Sequence, residues 1–149
     1  MSRISGNSTV LKSDGGERVP LLAVGGVVVR DRSVLLIRRA FPPRLGVWTF
    51  PGGKVRWGER LQDALRRELQ EELGLTCRVG PLLGVFELFE QDFHYVILDY
   101  LVFPERGSLS PSSEIAACRW VRWEEVPGLK GLGEGVQEML NRAREHLQL

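Results

Sequence analysis

Three glutamates stand close together in a segment rich in helix-forming residues: Glu68, Glu71 and Glu72. At about 100° per residue, Glu68 and Glu72 fall on the same arc as the apolar residues Leu61 and Leu65, and Glu71 lies at the edge of that arc. A carboxylate buried without a partner is strongly destabilising. The buried carboxylates therefore require a positively charged partner. Mg²⁺ fits best, because it prefers carboxylate, carbonyl and water oxygens as ligands.

A second interpretation of the same helix needs no metal. Asp63, Arg66, Arg67 and Gln70 form an arc that faces solvent, and Arg67 with Glu71 has the spacing of an i,i+4 ion pair. On this interpretation the helix is a solvated, salt-bridged surface. The position of Glu68 and Glu72 among leucines weighs against it.

The loop before the helix supplies a further signal. Gly52 and Gly53 follow a short strand-like segment, and a glycine pair allows a sharp turn that exposes backbone carbonyls near the helix. Loop and helix together, from Gly53 to Leu75, resemble the signature of the Nudix hydrolase family. The matching positions are Gly53, Glu59, Arg67, Glu68, Leu69, Glu71, Glu72, Gly74 and Leu75.

The resemblance extends from about Leu21 to the C-terminus, and it implies both a fold and an activity. The fold is the Nudix α/β/α sandwich, an α/β architecture with a mixed β-sheet between helices. The activity is hydrolysis of the diphosphate linkage of a nucleoside diphosphate joined to a second group. The implied metal ligands, for Mg²⁺ or Mn²⁺, are the carboxylates of Glu68, Glu71 and Glu72 and the carbonyl of Gly52. Arg67 would orient these carboxylates through ion pairs, and Glu59 would brace helix and loop.

Members of the family commonly take one more carboxylate, often the general base, from a loop far from the signature. Glu114, at the end of a polar loop, is the candidate, and Glu90, Asp99 and Glu105 are its rivals. Arg39 resembles an arginine that reaches the nucleotide in some members, although a solvent-facing arginine is an alternative. A base could stack on aromatic residues near the site, of which the candidates are Trp57, Phe86, Phe89 and Tyr95. His94 is expected to satisfy its own hydrogen bonds within a strand.

The substrate is open at this stage. Downstream signatures of several subfamilies are missing, and the segment HYVILDY with RWV most resembles the bacterial group labelled ADP-ribose pyrophosphatases. An ADP-ribose-like sugar nucleotide is therefore the first expectation. An (oxidised) nucleoside triphosphate is the alternative substrate. A catalytically inactive Nudix domain that senses a nucleotide is the alternative from another class, and the intact carboxylates argue against it.

The secondary structure that must position these residues follows from periodicity. LLAVGGVVV and SVLLIRR predict a hairpin of buried strands, and Arg60–Leu73 predicts a helix that Gly74 ends. Three further strand-like segments and an amphipathic C-terminal helix suggest a mixed sheet with helices on both faces. Residues 1–20, rich in Ser, Gly and charge, are expected to be a flexible leader, and residues 21–149 the Nudix hydrolase domain.

Composition excludes several classes of partner. The net charge of +1 over 149 residues gives no long-range attraction for a nucleic-acid polymer or an anionic membrane. No segment approaches a membrane span or a signal peptide, so a cytoplasmic enzyme acting on a small-molecule nucleotide is expected. A homodimer is left open. Cys77 and Cys118 are expected to be free thiols, with a disulfide as the alternative.

Overall fold

A computed structural model describes residues 18–106 and 108–148 of the chain. Residues 1–17 of the predicted leader lie outside this range, and the division into leader and domain stays a prediction. The described elements are β1 (Leu21–Arg30), β2 (Ser33–Arg39), β3 (Trp48–Thr49), β4 (Gly52–Lys54), α1 (Leu61–Leu73), β5 (Thr76–Glu90), β6 (Phe93–Arg106), β7 (Ile115–Arg122) and α2 (Val136–Leu147), with a 3-10 helix at Trp123–Gly128 between β7 and α2.

The strands form a mixed sheet in the order β3-β2-β1-β6-β5, with β4 paired to β1 and β7 paired to β2. β1 and β6 are parallel, and the other pairs are antiparallel. In this register Gly25 of β1 is the partner of Gly52 on one side and of Asp99 on the other. The mixed sheet and the hairpin of β1 and β2 confirm the predictions.

The two helices cover opposite faces of the sheet. Successive strand side chains point to opposite faces, so one β1 valine faces each helix. Val28 packs in the cluster that contains Leu65 of α1, whereas Val27 packs in the cluster that contains Leu140 of α2. All four residues are fully buried. The helices and the sheet therefore form the predicted α/β/α sandwich.

The C-terminus of α1 is fixed by two features. Gly74 adopts the left-handed conformation (φ 65°) of the predicted cap, and its N–H donates to the carbonyl of Gln70 at 2.9 Å. The polar loop before β7 then satisfies two more carbonyls of the last turn. Ser110 N donates to Leu73 O at 2.7 Å, and Ser112 N donates to Glu72 O at 2.8 Å. The loop thus holds the part of the helix that carries Glu72.

Two details of the prediction are wrong. Gly52 and Gly53 do not merely end a strand, because they form strand β4 themselves and pair with β1. The composition of residues 104–114 predicts a polar loop, but β6 continues to Arg106, so the loop is shorter than predicted. Cys77 and Cys118 are free thiols, as expected. Among the described residues, no helix is long and apolar enough to cross a membrane.

Candidate active site

Glu68 and Glu72 lie one turn apart on α1 and point into the protein, as their helical positions predict. Their exposed fractions are 2% and 1%. The glycines of β4 make room for them, since a Cβ on Gly53 would overlap the carboxyl group of Glu68. Gly52 is equally constrained, because a Cβ there would overlap the carbonyl oxygen of Val24. The glycine pair is therefore required by close packing of the backbone against the carboxylates and β1.

Glu72 is held at both oxygens. The N–H of Gly52 donates to Oε1 at 3.2 Å, and Nη1 of Arg39 donates to Oε2 at 3.2 Å. Burial nevertheless raises the pKa of Glu72 to about 8, against the opposing effect of Arg39. Arg39 is itself buried, and its Nε has no hydrogen-bond partner among the described residues. The solvent-facing alternative for Arg39 is therefore wrong.

Arg67 lies inside the cluster and not on the solvent arc where its helical angle places it. Its Nε and Nη2 make a bidentate pair with Glu59, at 2.6 and 2.9 Å. Its Nη1 donates to Glu68 at 3.1 Å and to Glu71 at 3.2 Å, and Nη2 also reaches the carbonyl of Lys54 at 3.0 Å. The hydrogen bonds from Arg67 lower the pKa of Glu59 to about 2. One guanidinium thus gathers three carboxylates and the end of β4.

The two interpretations of the helix are therefore both met in part. The Arg67–Glu71 pair exists, but it is mostly buried, with exposed side-chain fractions of 16% and 25%. The arginines supply much of the positive charge that the sequence requires. Among the described residues, no three acidic, histidine or cysteine side chains converge in a metal-ligand arrangement, and Arg39 and Arg67 bind the carboxylates instead.

The donor set still fits a hard divalent cation. Oε1 of Glu68 is buried and has no hydrogen-bond partner among the described residues, and burial raises the pKa of this carboxyl. A buried oxygen without a donor is costly, and cation coordination would satisfy it. Glu71 is the most accessible of the three carboxylates, and its second oxygen lies 3.8 Å from the exposed Arg56.

The backbone of Glu114 lies beside that of Arg39 and Ala40. Its carbonyl accepts a hydrogen bond from Ala40 N at 2.9 Å, and the next residue, Ile115, is the strand partner of Arg39. Its side chain is 9% exposed and does not line the cleft described below. The rivals are dispersed. Glu105 is exposed near the far end of β6, and both oxygens of Glu90 accept from Arg44 N, at 3.1 and 3.2 Å.

A partly open cleft adjoins the carboxylates. Arg39, Gly52 and Gly53 belong to both, so the cleft and the cluster are continuous. Its wall is mainly apolar, and four charged residues line it: Arg39, Arg44, Asp99 and Glu134. The other lining residues are Ala23, Val24, Gly25, Pro43, Thr49, Phe50, Phe86, Leu88, Tyr95, Ile97, Gly135 and Val136.

The aromatic candidates divide into two groups. Phe86 and Tyr95 line the cleft, whereas Trp57 is fully exposed and Phe89 is largely exposed outside it. Phe89 stacks on His94 at 4.3 Å, and His94 lies 3.5 Å from Glu87, so this histidine finds its partners away from the cleft as expected.

Arg44 is a site residue that the sequence pattern missed. Its Nη1 donates to Thr49 Oγ1 at 3.0 Å and its Nη2 to the carbonyl of Glu134 at 2.5 Å, which places the guanidinium 5.3 Å from the Phe86 ring centre. Burial lowers the pKa of Arg44, but a guanidinium stays protonated in proteins, so Arg44 is a cation. Nothing in the local sequence after Pro43 marks it as functional.

Comparisons with known proteins show a family and several relatives that this chain matches. The family model of the NUDIX domain matches residues 19–142. The ADP-ribose pyrophosphatase of Methanocaldococcus jannaschii is 31% identical over 112 residues, which are 74% of this chain and 66% of that protein. A putative 8-oxo-dGTP diphosphatase 2 of Mycobacterium tuberculosis is 53% identical over 67 residues, 42% of this chain and 48% of that protein. The chain thus matches two thirds or less of these relatives' lengths.

The fold has a close counterpart among solved structures. The crystal structure of a MutT NUDIX hydrolase from Burkholderia pseudomallei superposes with a TM-score of 0.75 at 30% sequence identity. The superposition covers 83% of this chain and 98% of that one.

Asp99→Asn should change how stability depends on pH. Burial raises the pKa of Asp99 to about 7, from an ordinary value of 3.8. The folded state therefore keeps a proton that the unfolded state loses, and stability falls as pH rises towards 7. Asparagine does not titrate, so the variant should gain roughly 2–3 kcal/mol of unfolding free energy relative to the parent between pH 5 and pH 8. Urea unfolding at both pH values measures this difference, and parallel pH curves for the two proteins would contradict it.

Proposed function

The chain belongs to the NUDIX family, and we propose that it hydrolyses the diphosphate linkage of a nucleoside diphosphate joined to a second group. The observation that carries the proposal is a buried carboxylate cluster, with an unpartnered oxygen on Glu68, directly beside an apolar cleft. Two charged phosphates and an uncharged nucleoside need this combination of a cation-binding site and an apolar pocket.

A divalent cation, Mg²⁺ or Mn²⁺, would be held by Glu68, Glu71 and Glu72 with the carbonyl of Gly52. When bound, such a cation draws charge from phosphate oxygens and lowers the pKa of a coordinated water. Oxygen ligands of this kind suit a hard cation. The relatives' names describe pyrophosphatase and diphosphatase activities, which supports the same type of bond.

The chain's own residues would position these groups. Arg39 and the N–H of Gly52 fix Glu72, and Arg67, itself fixed by Glu59, orients Glu68 and Glu71. Arg39 also lines the cleft, and its unpartnered Nε is a donor suited to a substrate phosphate oxygen. We therefore assign Arg39 to substrate binding and Arg67 to positioning of the metal ligands.

The substrate that we propose first is ADP-ribose or a similar sugar nucleotide. The relative from Methanocaldococcus jannaschii, named an ADP-ribose pyrophosphatase, supports it. An (oxidised) nucleoside triphosphate is the second candidate, supported by the name of the relative from Mycobacterium tuberculosis. An inactive sensor is disfavoured because the carboxylates of the signature are all present.

A panel of sugar nucleotides, dinucleotides and nucleoside triphosphates tests the proposal. Release of a nucleoside monophosphate should require Mg²⁺ or Mn²⁺, because clustered carboxylates repel a polyanionic substrate unless a cation lies between them. Turnover should fall to background in excess chelator and return when metal is restored. Full turnover with chelator present would reject the metal-dependent mechanism, and no turnover of any member would reject the catalytic proposal.

Glu71→Gln should lower kcat by about 10²–10³, the effect of losing one preorganised electrostatic contact. The shape is kept, while a charge that the cation needs is removed. The melting temperature in chelator should change little, because Arg67 keeps its pairs with Glu59 and Glu68, but the rise on adding Mg²⁺ should shrink. Asp63→Asn is the matched control, since it removes an exposed carboxylate from the same helix. Equal kcat for Glu71→Gln and this control would refute the assignment.

Glu114 is our proposed general base, and Glu114→Gln tests this role. A base contributes about 10²–10⁴ to the rate, so kcat should fall by that factor with little change in KM. If Glu114 contributed only to substrate binding, the substitution would instead raise KM with little change in kcat. A fall in kcat of less than tenfold would exclude Glu114 as the base.

A further inference from the structure

We propose that Asp99 selects the base of the substrate by accepting a hydrogen bond from an amino group on the edge of that base. This inference rests on the proposed function, because it takes the occupant of the cleft to be a nucleoside. It adds a specificity-determining residue on β6, outside the carboxylate cluster on α1.

Asp99 is a carboxylate buried in the sheet, where a charged group is costly. It lies inside the sheet, with an exposed fraction of 5%, and it lines the cleft. No described residue donates a hydrogen bond to it. A Cβ on its strand neighbour Gly25 would overlap Oδ1, so a glycine is needed to admit the carboxyl group. Buried carboxylates without donors are costly, and such a group facing a cavity indicates a ligand that supplies the donor.

The nearest cation does not satisfy this carboxylate. Arg44 attracts Asp99 electrostatically, but its terminal nitrogens are engaged by Thr49 Oγ1 and the carbonyl of Glu134. Its backbone N–H is bound by Glu90. These contacts hold the guanidinium near the Phe86 ring, and no hydrogen bond joins Arg44 to Asp99 among the described residues, so an occupant of the cleft can donate to Asp99.

The remaining walls suit the flat faces of an aromatic ring such as a nucleobase. Phe86 offers an aromatic face, and Ile97 and Leu88 add apolar surface. Gly135 lies so close to Phe86 that a Cβ there would stand 2.8 Å from the ring. Since Gly52 and Gly53 also border the cleft, a base against Asp99 would extend its phosphates towards Glu68 and Glu72.

The chemistry of the base edge then decides which nucleoside is accepted. Above pH 7, where the measurements below are made, Asp99 is mainly ionised, and an ionised carboxylate only accepts hydrogen bonds. Adenine, cytosine and guanine carry an amino group that can donate to it. Uracil carries carbonyl oxygens on either side of one N–H, and these oxygens would face the carboxylate with like partial charge. A site built for a hydrogen bond rejects analogues that lack the donor far more strongly than an apolar pocket rejects a change of size.

Matched nucleotide pairs test this selection. Each pair has the same sugar and phosphates and contrasts an amino-bearing base with one lacking that group: cytosine with uracil, adenine with hypoxanthine, and guanine with hypoxanthine. For the substrate hydrolysed fastest, the parent protein should prefer the amino-bearing member by tenfold or more in kcat/KM. Asp99→Asn, whose amide can also donate to a carbonyl, should reduce this preference to threefold or less. Glu87→Gln is the control, because it removes an exposed carboxylate from the neighbouring strand outside the cleft, and it should keep the preference.

Binding of the nucleoside monophosphates in chelator, measured by calorimetry, gives a second measurement that needs neither metal nor turnover. The same preference, and its loss in Asp99→Asn, should appear in Kd. Equal preference in the parent and the variant, or no preference in the parent, would overturn the role of Asp99. Base-selective binding without hydrolysis of any nucleotide would instead overturn the proposed activity and leave the selection by Asp99 standing.

Discussion

Glu68 and Glu72 share the face of α1 that packs on the sheet, and the site is organised around the burial of these two carboxylates. A carboxylate that loses its water shell must recover the lost interactions from the protein or from a ligand. Arg39 and the N–H of Gly52 do this for Glu72, and Arg67 does it for one oxygen of Glu68. The second oxygen of Glu68 has no such partner among the described residues. A cation that coordinated this oxygen would supply the missing interaction.

The buried carboxylates also require glycines in the neighbouring strands of the sheet. Gly53 leaves space for Glu68, Gly52 approaches β1 more closely than a side chain would permit, and Gly25 leaves space for Asp99. Gly25 pairs with both Gly52 and Asp99. A single residue of β1 therefore lies between Gly52, which donates to Glu72, and Asp99 in the cleft. The sheet thereby sets the distance between the two halves of the site.

Periodicity and local composition were enough to predict the hairpin, α1 with its Gly74 cap, and the burial of Glu68 and Glu72. They failed for Arg67, because a helical angle locates Cβ and not the end of a long side chain, which here turns back to Glu59. Asp99 was only a rival for the general base, and Arg44 was missed. Asp99 reaches the cleft through the parallel pairing of β1 with β6, and Arg44 reaches it through the loop after Pro43; neither position leaves a local pattern in the sequence.

The division of the site between two sets of elements has a consequence for specificity. The signature in β4 and α1 builds the carboxylate cluster, and its residues would act on the diphosphate that many nucleotides share. Most of the cleft wall comes from β1, β5, β6 and the segment around Arg44, outside the signature, and Gly53 is the signature residue that also borders it. Substitutions there can change the accepted nucleoside while leaving Glu68, Glu72 and their arginines in place. Relatives that share the signature can therefore carry the names of different substrates, such as ADP-ribose and 8-oxo-dGTP. The substrate of this chain must accordingly be sought in the walls of the cleft, at Asp99 and Arg44, and not in the helix that identifies the family.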